Sequence, residues 1–182
     1  GPDDIRARDT RGISGCWPTP GLQYVAAVLR DAGHEVLFLE GFFYTNDVMR
    51  KRVAEFGAEA LGVYVISLLW DKARPFIDAV RADNPDLFTF IGGHGASAMP
   101  RRMLEDCAEL DAVVVGEGEI TSREMMEAVE SGRELEGIPG LIFRRGGEIV
   151  TNPPRPPAED ISEFPFPATD LCEMERYYPS YE

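Results

Sequence analysis

Leu87-Phe88-Thr89-Phe90-Ile91-Gly92-Gly93-His94 opens as a nearly unbroken apolar run and ends in a glycine pair. Two further stretches share the design: Val63-Tyr64-Val65-Ile66 runs into Ser67-Leu68-Leu69, and Ala112-Val113-Val114-Val115 runs into Gly116-Glu117-Gly118-Glu119. Strands buried on both faces read as near-continuous apolar runs, whereas half-exposed strands alternate apolar with polar residues. If these runs are parallel strands, their three turns fall on one edge of the sheet. That edge is where open α/β sheets take their ligands.

Between the runs the apolar period becomes helical. Leu22, Val25, Ala26 and Leu29 follow i, i+3, i+4, i+7 spacing, with Pro20 suited to the helix start and Gly33 to its end. His34 to Leu39 reads as a buried strand, and Met49, Val53 and Phe56 mark a second helix closed by Gly57. After the strand at 61–66, Asp71 is placed to cap a helix with the face Ala73, Phe76, Ile77 and Val80; Pro75 is tolerated near its first turn. The strand at 87–91, a short helix at 100–108, the strand at 112–115 and a helix at 120–131 complete the alternation. The pattern predicts an α/β fold with a doubly wound parallel sheet. The first helix has no apolar strand before it, so the strand that pairs at the sheet's centre is expected upstream of Gly1, or replaced by a poor one.

Beyond residue 134 the style changes. Ile138 to Phe143 and Glu148 to Thr151 flank Arg144-Arg145-Gly146-Gly147, a β-hairpin with a glycine turn. Asn152-Pro153-Pro154-Arg155-Pro156-Pro157 and Phe164-Pro165-Phe166-Pro167 then form an extended, semi-rigid connector. We expect a main domain over 1–134, a hairpin appendage over 135–152 and a Pro-rich linker over 153–182. Both ends read as cut, which suggests a piece of a longer protein.

The chain has 182 residues, 44% hydrophobic and 27% charged, ordinary for a soluble domain with a full core. Its formal net charge of −14 repels phosphate backbones and anionic surfaces and argues against a nucleic-acid partner. No apolar run reaches the length of a membrane span, and no secretory signal is present. Cys16, Cys107 and Cys172 are odd in number and far apart, which favours reduced thiols in a cytoplasmic protein.

Each turn admits a structural and a ligand-binding reading. Ser67 either caps the next helix or bonds a heterocycle nitrogen, and Leu69 and Trp70 suit packing. Gly92 and Gly93 either make a tight turn or let backbone approach a bulky ligand. In Gly116-Glu117-Gly118-Glu119 the carboxylates disfavour a phosphate and suit a hydroxyl, amide or ribose; the plain alternative is a capping turn. His94 touches a ligand only by its position beside the glycine pair, and His34 marks a helix-to-strand turn. Cys16 and Trp17 precede the first helix on the same expected edge, and Cys107 reads as core. No nucleophile–base pair, paired carboxylates or phosphate-loop lysine is found, so no catalytic residue is assigned.

Taken in order, these segments resemble the cobalamin-binding domain of cobalamin-dependent radical SAM enzymes. The resemblance is carried by Pro18 to Val36, by the three turns, by Ile138-Pro139-Gly140-Leu141, by Asn152-Pro153-Pro154 and by the Phe164-Pro165-Phe166-Pro167 exit. It implies a flavodoxin-like, Rossmann-like sheet with cobalamin's nucleotide tail in its carboxyl edge. Ser67 and Leu69 would lie beside the dimethylbenzimidazole base, and Gly92 and Gly93 would give the tail room. Gly116, Glu117 and Gly118 would contact the tail or its sugar, and His94 is counted with them as cofactor-binding. The implied whole protein is a methyltransferase-like enzyme whose downstream radical SAM domain holds S-adenosylmethionine and a 4Fe-4S cluster.

Two departures sharpen this. The Asp-x-His-x-x-Gly element of cobalamin methyltransferases is absent, so no histidine of this piece is expected to ligate cobalt. The Cys-x-x-x-Cys-x-x-Cys motif is absent too, so this chain alone holds no cluster and is expected to be non-catalytic. Two rivals remain. A receiver-type signalling or interaction domain needs a phosphorylatable Asp at a strand end, where Ser67, Gly92 and Gly116 stand instead. A flavin or nucleotide binder needs a Gly-rich phosphate loop after the first strand.

Overall fold

Pro20, which lacks an N–H, sits where a helix start leaves one unsatisfied, and α1 (Pro20–Asp31) begins there. The structure is a computed structural model that describes residues 17–177. Thr45 Oγ1 accepts the Val48 N–H at the start of α2 (Asn46–Phe56), which stops at Gly57 in the left-handed region with φ 69°. There follow β1 (Ala60–Tyr64), a 3-10 turn (Ser67–Leu69), α3 (Trp70–Asp83), β2 (Phe88–Gly92), α4 (His94–Ala98), α5 (Pro100–Asp106), β3 (Ala112–Val114) and α6 (Glu119–Ser131). The hairpin is β4 (Leu141–Arg145) and β5 (Glu148–Thr151).

Among the described residues the strands form one sheet in the order β1-β2-β3-β4-β5. β1, β2 and β3 are parallel, with Val63 opposite Ile91 and Ile91 opposite Val113. The hairpin joins the same sheet antiparallel, Val113 facing Ile142. The fold is thus an open, mostly parallel α/β sheet of the flavodoxin-like kind.

Successive strand residues point to opposite faces, and both faces are covered. Ile91 and Val113 pack with Ile77, Met103 and Leu104 from α3 and α5. Phe90, Ala112 and Val114 pack with Met125 of α6 and with Leu141 and Phe143. This two-sided burial is why the runs carry so little polar alternation.

The sequence reading departs from the structure in three places. The segment at 34–39 forms no ladder: Val36 and Phe38 pack on Ala26 and Ala27 of α1, and Leu39 packs on the cluster of Met49, Val53 and Phe76. An apolar run becomes a strand only where a neighbour offers backbone donors and acceptors, and among the described residues neither 34–39 nor the outer edge of β1 has one. The strand expected ahead of α1 lies outside the described residues. α3 begins at Trp70, one residue before Asp71, whose carboxylate instead sits in the first turn near the positive helix end. The helix expected at 100–108 is α5, and a further short helix that the periodicity does not show, α4, precedes it, with Met99 between the two.

The Pro-rich segment folds back on the domain itself. Asn152 is buried; its Oδ1 accepts the Gly137 N–H at 3.1 Å, and its Nδ2 donates to Leu135 O at 2.8 Å and Ile138 O at 2.9 Å. Arg155 then bonds Thr121 Oγ1 at 2.7 Å and pairs with Glu124 on α6. Ala168 is buried against α1, its N–H donating to Gln23 O at 3.1 Å. Further on, Tyr44 bonds Glu173, and Arg176 lies 4.3 Å over the Phe43 ring. Asn152→Ala removes three hydrogen bonds made by a buried side chain, so it is expected to cost about 3 kcal/mol, measured by urea unfolding.

Candidate functional site

The parallel register sets the ends of β1 and β2 side by side, Tyr64 opposite Gly92. Val65 N–H donates to Gly92 O at 2.8 Å, and Gly95 N–H returns to Val65 O at 3.0 Å, which locks the first two turns together. Ser97 Oγ accepts the Gly116 N–H at 3.0 Å and ties in the third. The three turns therefore form one continuous carboxyl edge.

The two glycines of the second turn do different things. At Gly92 a Cβ would make only ordinary van der Waals contact, with Val114 at 3.8 Å, so a side chain there would fit without strain. At Gly93, with φ 99° and ψ −179°, a Cβ would lie 2.7 Å from the Tyr64 ring and 2.9 Å from Val65 O. Gly93 makes room for Tyr64, and only Gly92 leaves space beside the edge. Gly118 stands on the same side as Gly92: its Cβ position is 3.5 Å from Val114 and 3.4 Å from Val25 of α1. Gly92, Gly118 and Val25 thus gather around Val114.

Gly116 has φ 79° and no atom within 4 Å of its Cβ position, but its N–H is already taken by Ser97. Glu117 Oε2 accepts the Ala158 N–H at 2.8 Å, so this carboxylate holds the Pro-rich segment. Together with Tyr24, Glu119, Ile161 and Phe164 it lines a cleft of about 140 Å³ between α1, α6 and that segment. Leu69 is half-buried at the cap position of α3, its N–H donating to Ile66 O at 2.9 Å, while Trp70 packs on the core. The backbone of Ser67 opens the 3-10 turn beside β1.

His94 is exposed, and its Nδ1 lies 3.1 Å from the Tyr64 hydroxyl. The same edge exposes apolar side chains: Leu68 is 89% exposed, Met99 40% and Ile66 38%. Trp17, 64% exposed, precedes α1, and Cys16 lies outside the described residues. Tyr64 and Ser97 were not legible as site residues, because their roles depend on cross-turn contacts rather than on spacing.

A wider open concavity of about 560 Å³ lies at the opposite, amino edge. Its charges are paired with each other: Arg81 with Glu109 at 3.8 Å and Arg74 with Asp78 at 3.8 Å. Size is a poorer guide here than chemistry, and the carboxyl edge is the candidate site. Cys107 is core, and burial, with Asp78 beside it, pushes its thiol up to about 11. Cys107 and Cys172 are free thiols. Among the described residues no group of three or more His, Cys, Asp or Glu is placed to hold a metal ion, and no helix is long and apolar enough to cross a membrane.

Comparison with known proteins gives this edge a context. Residues 10–126 match the family described as the B12 binding domain. An uncharacterized methyltransferase, PH0819, from Pyrococcus horikoshii is 32% identical over 162 residues, covering 88% of this chain and 35% of that protein. An anaerobic magnesium-protoporphyrin IX monomethyl ester cyclase from Rubrivivax gelatinosus is 28% identical over 174 residues, covering 91% of this chain and 31% of that protein. The chain spans about a third of the length of these curated relatives. Among solved structures, the radical S-adenosylmethionine methyltransferase TsrM from Kitasatospora setae superposes with a TM-score of 0.67 at 25% identity, over 86% of this chain and 29% of that one. OxsB, a cobalamin-dependent S-adenosylmethionine radical enzyme, shares the fold, with a TM-score of 0.77 at 18% identity over 90% of this chain and 23% of that one.

Proposed function

The chain belongs to the B12 binding domain family, and from that premise we propose that it seats cobalamin on its carboxyl edge as the cofactor-holding module of a radical SAM methyltransferase. The nucleotide tail enters beside Gly92 and Gly118, against Val114 and Val25. The observation that supports this is Gly92, which carries no side chain on an edge that also exposes Leu68, Ile66 and Met99. Leu68, Ile66 and Met99 suit the faces of a large flat ring, and the backbone of Ser67, with Leu69 and His94, lies on the same edge. Gly116, Glu117 and Gly118 shape the far wall. Gly116 and Glu117 do so indirectly, because their polar groups hold Ser97 and Ala158.

When bound, cobalamin supplies a cobalt centre able to carry a methyl group. This chain's part is to bind and orient it and to exclude water from its tail. S-adenosylmethionine and a 4Fe-4S cluster belong to a radical SAM domain following the Pro-rich segment, with the divisions at 134 and 152. The free thiols fit a reduced cytoplasm, and the net charge of −14 argues against nucleic acid as a partner.

Hydroxocobalamin mixed with the 182-residue chain is expected to co-elute on gel filtration as a coloured complex, with flavin mononucleotide left in the small-molecule fraction. A colourless protein peak, or retention of the flavin instead, refutes the reading.

A further inference from the structure

Tyr64 is held more tightly than a residue at a strand end needs to be. Its ring fills the space that a Cβ on Gly93 would occupy, at 2.7 and 2.8 Å from two ring carbons. So placed, its hydroxyl reaches His94 Nδ1 at 3.1 Å across the first two turns. A neutral imidazole carries one proton, and the bond made by one nitrogen fixes the role of the other. A phenol is a good donor, and a Tyr64 O–H that donates to Nδ1 puts the ring proton on Nε2. His94 is exposed, as are the apolar side chains Leu68 and Met99 on the same edge. Nε2–H is then a directed donor on this edge.

We propose that Tyr64 is a positioning residue that locks His94 in the Nε2–H tautomer, so that Nε2–H donates to an oxygen of the phosphate–sugar part of cobalamin's nucleotide tail. This rests on the cofactor reading above and names the contact that distinguishes a tailed from a tailless corrinoid. The chemistry is apt: the neighbouring turn carries the Glu117 carboxylate, an acceptor whose charge repels an anionic oxygen, so that oxygen finds its donor on the His94 side instead. Tyr64→Phe keeps the ring against Gly93 and removes only the hydroxyl. His94→Gln replaces the Nε2 donor with an amide at similar reach, whereas His94→Asn mimics only Nδ1.

Two measurements on the 182-residue chain test this. Long-range ¹H–¹⁵N NMR of the cofactor-free protein reads the tautomer: His94 is expected wholly as Nε2–H, and mixed in Tyr64→Phe. Titration with hydroxocobalamin and with cobinamide, which lacks the tail, reads the contact. For hydroxocobalamin, His94→Asn is expected to bind about tenfold more weakly, the scale of one lost hydrogen bond to a charged group. Tyr64→Phe falls in between, and His94→Gln stays within about twofold of the parent, on the scale of a hydrogen bond kept. Cobinamide affinity is expected to be the same in all four proteins. An Nδ1–H or unlocked His94 in the parent overturns the positioning role. Equal hydroxocobalamin affinity across the variants, or an equal loss for cobinamide, overturns the tail contact while leaving the cofactor reading intact. A parent that binds neither corrinoid overturns both.

Discussion

Gly93→Ala is expected to destabilise the domain by about 4 kcal/mol, a large share of the roughly 5–15 kcal/mol that holds a domain of this size together. Two terms add. The backbone at φ 99°, ψ −179° lies in a region essentially reserved for glycine, and a side chain there costs about 1–3 kcal/mol. The new methyl group also falls 2.7 Å from the Tyr64 ring and 2.9 Å from Val65 O, and overpacking of this kind costs about 1–3 kcal/mol. The Tyr64 ring can turn aside, but Val65 O cannot, because it accepts the Gly95 N–H that joins the first two turns. Urea unfolding of Gly93→Ala, Tyr64→Ala and the double variant separates the terms. Tyr64→Ala should relieve the ring clash and recover only part of the loss, so the pair is coupled. A loss below about 1 kcal/mol for Gly93→Ala refutes the account.

The fold was legible in the sequence because burial on both faces leaves the central strands β2 and β3 almost wholly apolar. Phe90 and Ile91 face opposite layers, and both are apolar for that reason. The segment at 34–39 misled because its composition is set by packing on α1 and α2, which an apolar run records without saying whether its backbone is paired. The hairpin's own pairing is local and readable from its glycine turn; its docking on β3 is a long-range contact that no local pattern encodes. The same limit applies at the site. The order of the turns located the edge, since a turn's position follows from the strand before it. What each residue does there depends on partners far away in sequence: Ser97 for the Gly116 N–H, Ala158 for Glu117, Tyr64 for Gly93.

Gly92 and Gly93 look equivalent as letters, and the structure separates them. Gly92→Leu is expected to leave stability within about 1 kcal/mol of the parent while weakening hydroxocobalamin about 100-fold, roughly 2.7 kcal/mol of binding. Gly92 ends β2 in ordinary strand geometry, and a Cβ there makes only van der Waals contact with Val114 at 3.8 Å. Replacing a strand glycine also lowers the entropy of the unfolded chain, which favours the folded state by about 0.4–1 kcal/mol when the backbone fits. The longer side chain grows out beside Gly118 and Val25, where the tail is proposed to enter. Gly92→Ala should show the same effect in miniature: a protein at least as stable as the parent, with affinity down by about tenfold. Calorimetric titration beside urea unfolding reads both quantities on one sample. Undiminished affinity in Gly92→Leu would move the tail away from this side of the sheet, and a collapse of stability would mean that Gly92, like Gly93, serves the fold before it serves a ligand.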